Sequence, residues 1–155
     1  MNKEELDFIL QEGEGLKIEF KESLDPKSMA KEIVALANSE GGRIFLGVSD
    51  NGEAKGINIT NRLKSQIQDI ANNCNPKVRI SIKELGNILA IDVAEGEDKP
   101  YACSSGFFMR EGPNSQKLSR NEILDFLMKL GKVNFDEQTN NDFNFPRDFD
   151  KKKFS

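Results

Sequence analysis

The chain has 155 residues, 37% of them hydrophobic and 31% charged, with a formal net charge of −4. That is room for one ordinary folded domain with some spare length, and it excludes a disordered or fibrous chain. Histidine and tryptophan are both absent, so Ser-His-Asp and Cys-His chemistry is excluded within this chain.

Asn2, with Glu5 three positions on, forms a cap and its partner for a first helix, with Leu6, Ile9 and Leu10 as its apolar stripe. Gly13 and Gly15 break that helix. Leu16, Ile18 and Phe20 then alternate with Lys17, Glu19 and Lys21, the pattern of a short strand with one polar face. Asp25-Pro26 starts a second helix with stripe Met29, Ile33, Val34 and Ala37, ended by Gly41-Gly42. Arg43 to Val48 is an apolar strand, and Asn51-Gly52 is a two-residue hairpin signal leading to a short return strand.

Thr60 opens a helix with Leu63, Ile67, Ile70 and Ala71 at helical spacing. Val78, Ile80 and Ile82 form the inner face of the next strand, which Gly86-Asn87 turns into a partner carrying Leu89, Ile91 and Val93. Gly106 to Arg110 is one more strand, followed by a loop over Glu111-Gly112-Pro113-Asn114-Ser115. Ser119 and Glu122 make a capping box for a last helix with Ile123, Leu127 and Leu130. The order predicts an α+β fold, a mixed and mostly antiparallel sheet packed with about four helices.

Residues 1–131 read as one domain and 132–155 as a linker or docking tail. The tail is rich in Asn and Asp, has Lys151-Lys152-Lys153 near its end, and carries Phe135, Phe143, Phe145 and Phe149, which suit docking onto the body. No apolar run reaches the roughly 20 residues of a membrane span, and the first residues lack a signal peptide's pattern. A cytoplasmic protein with no membrane partner is expected. Cys74 and Cys103 are far apart in sequence and form no CxxC pair, so they read as buried free thiols.

Charge is uneven along the chain. Residues 1–30 hold four basic and eight acidic groups, and residues 61–90 hold five basic and two acidic. Lys77, Arg79 and Lys83 alternate with Val78, Ile80 and Ile82, so they share the outer face of one strand at roughly 6.6 Å spacing. That spacing suits phosphate-backbone contact, although a solvated strand face that guards the sheet edge has the same pattern. Arg110, the Gly112–Ser115 loop and Lys117 would present a guanidinium and backbone N–H groups to a phosphate. Neither GxGxxG nor GxxxxGK[ST] occurs, so no nucleotide cofactor is expected.

Three segments together resemble one family. They are Glu14-Gly-Leu-Lys-Ile-Glu19-Phe-Lys21; Ala37-Asn38-Ser39-Glu-Gly41-Gly42 running into Phe45-Leu-Gly47-Val48-Ser-Asp50-Asn-Gly52; and Phe108-Met-Arg110-Glu-Gly112-Pro-Asn114 with the Leu118-Ser119 helix start. In this order they resemble the Schlafen AlbA-type DNA-binding domain, found in bacterial and archaeal transcriptional-regulator and helicase-related proteins, over roughly residues 5–131.

The resemblance implies that Glu14, Glu19 and Asp50 occupy the positions of the carboxylate set of nuclease-active Schlafens. Three converging carboxylates would hold Mg²⁺ or Mn²⁺ to activate water at a phosphodiester. Lys21, on the same strand face as Glu19, would contact a phosphate or temper that cluster. The alternative is that Glu14 and Glu19 are solvated and Asp50 merely begins a turn. The first functional reading is a nucleic-acid-binding module for DNA or RNA within a transcriptional-regulator-like protein. A metal-dependent endoribonuclease acting on tRNA or other structured RNA comes next, and a protein-interaction domain third. Animal Schlafen cores pair two such lobes around a basic groove, so a complete groove here implies a homodimer.

Overall fold

Short-range capping sets the helix starts. Helix α1 (Lys3–Glu12) opens on Asn2, whose side chain accepts the Glu5 N–H at 2.8 Å while the Glu5 carboxylate accepts the Asn2 N–H at 3.4 Å. Helix α2 (Pro26–Asn38) carries its proline in the first turn, with Asp25 ahead of it making no side-chain cap bond. Helix α3 (Asn61–Asn72) opens on Thr60, whose hydroxyl accepts the Leu63 N–H at 3.0 Å. This computed structural model describes residues 2–132. Phe135, Phe143, Phe145, Phe149 and the lysines Lys151 to Lys153 lie outside the described residues.

Strands β1 (Ile18–Lys21), β2 (Gly42–Leu46), β3 (Ile80–Leu85) and β4 (Ile88–Val93) form one mixed sheet in the order β1-β2-β4-β3. β1 runs parallel to β2, which requires the long crossover through α2, and the other pairings are antiparallel. β5 (Ala102–Cys103), β6 (Gly106–Glu111) and β7 (Asn114–Lys117) form a second, antiparallel sheet. Helix α4 (Arg120–Lys129) follows, and the chain divides into two compact units between Ser119 and Arg120. The fold is α+β, as the element order predicts.

Register decides what each face of the main sheet meets. Phe20 lies beside Phe45, and Phe45 beside Ala90; with Val48 and Ile88 they pack against Leu6 of α1. Glu19 lies beside Ile44, and Ile44 beside Ile91, on the opposite face beneath α2 and α3. Because both faces are covered, Ile88 and Ala90 are as buried as Leu89, Ile91 and Val93. α2 is enclosed further, since Tyr101 and Phe108 beside the small sheet join the cluster containing Met29, Ile33 and Leu36. Ile33 through Ala37, five successive apolar residues in the second half of α2, are wholly buried.

Two local expectations change. The turn after β2 closes from Gly52 N–H to Ser49 O at 2.9 Å, so Asp50 and Asn51 are its central pair rather than Asn51 and Gly52. The return is one bridge, Val48 to Ala54, and not a strand. The segment after Glu111 is not an open loop either. Gly112-Pro113 is a tight turn and Asn114 to Lys117 return as β7, a strand whose polar sequence hid it.

Gly41 (φ +76°) ends α2, and a Cβ built there would stand 2.8 Å from both Glu95 N and Val93 O. Gly41→Ala is predicted to destabilise the fold by about 2 kcal/mol or more, through a left-handed conformation and a main-chain clash together. A lower urea midpoint at unchanged slope is the expected result, and an unchanged midpoint would refute the close packing.

Candidate functional site

The alternation of β1 puts Glu19 and Lys21 on the face toward α2, and Arg110 of β6 approaches the same place. The Arg110 side chain is 0% exposed. Its Nη1 donates to Glu19 Oε1 at 2.7 Å, Glu32 Oε1 at 3.1 Å and Ser115 Oγ at 3.0 Å. Its Nη2 donates to the carbonyls of Gly15 and Ile18, and its Nε to that of Leu16 at 3.3 Å. The Arg110 backbone N–H donates to Ser39 Oγ at 3.0 Å. Lys21 Nζ lies 3.1 Å from Glu32 Oε2 and 3.7 Å from Glu19 Oε2, and donates to Ser28 Oγ at 2.7 Å. The Ser115 hydroxyl also meets Glu32 Oε1.

Two buried carboxylates thus share two cations. Burial pushes the Glu19 carboxyl up from its ordinary 4.5 to about 7, helped by the negative charges of Glu32 and Glu14 and resisted by Arg110. Glu14 belongs to this neighbourhood and caps the sheet edge, its Oε2 accepting the Phe20 N–H at 3.0 Å. Behind the cluster, Asn38 Nδ2 donates to the carbonyls of Tyr101 and Phe108, each at 2.9 Å. Asn38 Oδ1 accepts the Tyr101 N–H at 2.7 Å.

The candidate residues therefore separate. Glu14, Glu19 and Lys21 come together, and they do so with Glu32 and Arg110. Asp50 is exposed in its turn and takes no part in the cluster's ion pairs. Among the described residues no group of three or more Cys, Asp or Glu side chains is placed to hold a metal ion. The oxygens of Glu19 and Glu32 already face a guanidinium or an ammonium, so a divalent ion does not fit this cluster as folded. Glu32 escaped the sequence reading because a glutamate within a helix reads as solvated; its four-residue step from Ser28, which also meets Lys21, was the available signal.

Arg110 was expected to face a phosphate, and it is instead buried with its donors engaged. Lys117 is exposed at the end of β7. Lys77 and Arg79 lie just ahead of β3 and Lys83 within it, all three exposed, while Val78 between them is buried. Among the described residues none of the three is held in an ion pair, in contrast to neighbouring Lys64, which is paired with Glu84. Lys77 and Arg79 line a cavity of about 420 Å³ together with Gln68 and Asn72 of α3.

The family described as Schlafen, AlbA_2 matches residues 14–119. The fold is similar to a crystal structure of the DIP2311 protein from Corynebacterium diphtheriae, at 18% sequence identity with a TM-score of 0.54. That likeness covers 78% of this chain and 25% of the other, so the chain spans about a quarter of that protein's length. No curated protein matches.

Arg110→Met is predicted to cost roughly 3–5 kcal/mol in urea unfolding, because it strands two buried carboxylates. A second prediction concerns pH. Folded Glu19 keeps its proton where the unfolded chain has released it, so its contribution to stability is full below about pH 4.5 and is lost as pH rises through about 7. Between pH 5 and pH 8 the wild type should therefore lose stability relative to Glu19→Gln; parallel curves would show that Glu19 titrates normally.

Proposed function

The chain belongs to the Schlafen AlbA_2 family, and from that premise we propose that it is a nucleic-acid-binding module of a longer, regulator-type protein. The family supports a nucleic-acid-related function. One observation carries the choice of surface: Lys77, Arg79 and Lys83 are exposed and outside any ion pair among the described residues, and Lys77 and Arg79 line a cavity together with the amides of Gln68 and Asn72 and the carboxylates of Glu95 and Glu97. Exposed cations contact phosphates, and such contacts position a nucleic acid without reading its sequence. The amides of Gln68 and Asn72 can donate and accept, which suits sugar hydroxyls or base edges. The Glu19–Glu32–Lys21–Arg110 cluster acts here as the scaffold that holds the small sheet.

An endoribonuclease using Mg²⁺ or Mn²⁺ at Glu14, Glu19 and Asp50 draws less support. Lys21 and Arg110 already fill the electrostatic place a metal would take, and Asp50 stands apart from their ion pairs.

The test is salt-dependent binding to labelled duplex DNA and tRNA, with Mn²⁺ or EDTA present. Binding without cleavage is expected in both. Changing Lys77, Arg79 and Lys83 together to glutamine should weaken binding to all sequences alike and flatten the log–log salt slope by about two to three. An unchanged slope would move the footprint elsewhere, and cleavage that EDTA abolishes would favour the nuclease.

A further inference from the structure

Cys74 and Cys103, 29 residues apart in the chain, are brought together by the fold. Asn75 and Ala102 form an antiparallel bridge with both reciprocal bonds at 2.9 Å, Asn75 N–H to Ala102 O and Ala102 N–H to Asn75 O. Carried one residue outward, that register sets Cys74 against Cys103 as a non-hydrogen-bonded pair. Such pairs stand about 4.5 Å apart at Cα, inside the roughly 4.4–6.8 Å that a disulfide spans. Both cysteines line one cavity of about 470 Å³, with Ile70, Ser104 and the start of α2 at Asp25 and Lys27. Each thiol reaches only a backbone carbonyl of its own segment, Cys74 that of Ile70 at 3.3 Å and Cys103 that of Gly106 at 3.7 Å. Neither contact holds the sulfurs apart.

We propose that Cys74 and Cys103 form a reversible dithiol–disulfide site, oxidised by low-molecular-weight disulfides that enter through this cavity. Cys103, half-buried, reacts first. Its thiolate attacks one sulfur of glutathione disulfide, giving a mixed disulfide and releasing one glutathione thiolate, which takes up the proton Cys103 lost. Cys74 then loses its proton and attacks the Cys103 sulfur. The protein S–S bond forms, and the second glutathione leaves as a thiolate that is protonated in turn. Two cysteines are oxidised and one glutathione disulfide is reduced to two thiols.

The order of attack follows from surroundings. Cys74 is 6% exposed, and burial, with the neighbouring Cys103, pushes its thiol up to about 11. It is a poor first nucleophile and serves as the resolving thiol once the mixed disulfide is placed against it. The bond would tie the end of α3, and the turn leading to Lys77, to the hairpin that carries Arg110.

The test is a redox titration of the whole chain in glutathione buffers, folded and again in urea, read by intact mass and peptide mapping. The expected product has lost two hydrogen atoms in mass and links the peptides containing Cys74 and Cys103. In the folded chain its equilibrium constant should exceed that in urea by at least about tenfold, a shift of about 30 mV. Equal constants would show that the fold does not favour the bond and would overturn the proposal. So would a stable glutathione adduct on Cys103, two unreacted thiols, or disulfides between chains.

Discussion

A guanidinium removed from water must have its N–H groups accepted and its charge answered, or the fold that buries it cannot stand. Arg110 meets that constraint with three carbonyls from the turn ahead of β1 and the head of β1, two carboxylates and a hydroxyl. Its partners lie on β1, α2 and β7, so one side chain of β6 ties the small sheet to the edge of the large one. Lysine could not replace it, since three donors on one nitrogen cannot reach carbonyls and carboxylates arrayed around a planar fork. The segment from Gly15 to Ile18 has little regular pairing of its own, and Arg110 supplies its missing donors. This contact joins the β1–β2 ladder and the packing of Phe20 in positioning β1.

The cluster also selects one register for β1. A slip of one residue would carry Glu19 and Lys21 to the apolar face beneath α1 and turn Phe20 toward Arg110. Each change buries a charge without its partner, which costs more than the lost hydrophobic contact. Burial raises the Glu19 carboxyl, the negative charges of Glu32 and Glu14 add to it, and Arg110 offsets only part of the two together. Ion pairs of this kind add little net stability, but they make the wrong arrangements worse.

Helix starts were readable because capping and apolar spacing act within a few residues: Asn2 with Glu5, Thr60 with Leu63, and the stripe of α2 all stand where the pattern puts them. The main strands were readable for the same reason. β7 was not, since Asn114 to Lys117 has no apolar alternation and pairs only because β6 lies alongside. The polar face of β1 was visible, but its burial was not, because α2 and Arg110 cover it from 13 and 91 residues beyond Glu19. Arg110 looked like a phosphate ligand because an arginine beside a glycine-containing turn has the same local sequence whether it faces solvent or a buried carboxylate. Parts of the three segments of the family resemblance meet at this clamp: Gly15, Leu16, Ile18 and Glu19 accept from Arg110, Ser39 accepts its backbone N–H, and Asn38 holds Tyr101 and Phe108.

Once Arg110 is assigned to the scaffold, the question of where an anion would bind moves to the other edge of the sheet. Lysines on an edge strand can serve only to prevent strand addition, and Lys83 on β3 meets that description. Lys77 and Arg79 ask for more. They precede β3 and line a cavity shared with Gln68 and Asn72, and with Glu95 and Glu97. A guarding cation needs only solvent; it does not need amides beside it. The acidic first 30 residues supply β1 with Glu14, Glu19 and Lys21, whereas the basic stretch from 61 to 90 supplies α3, β3 and one wall of this cavity. The same net charge of −4 therefore holds two regions of opposite sign: the acidic one contributes Glu19 to a buried arginine, and the exposed cations of the basic one form the surface proposed for a polyanion.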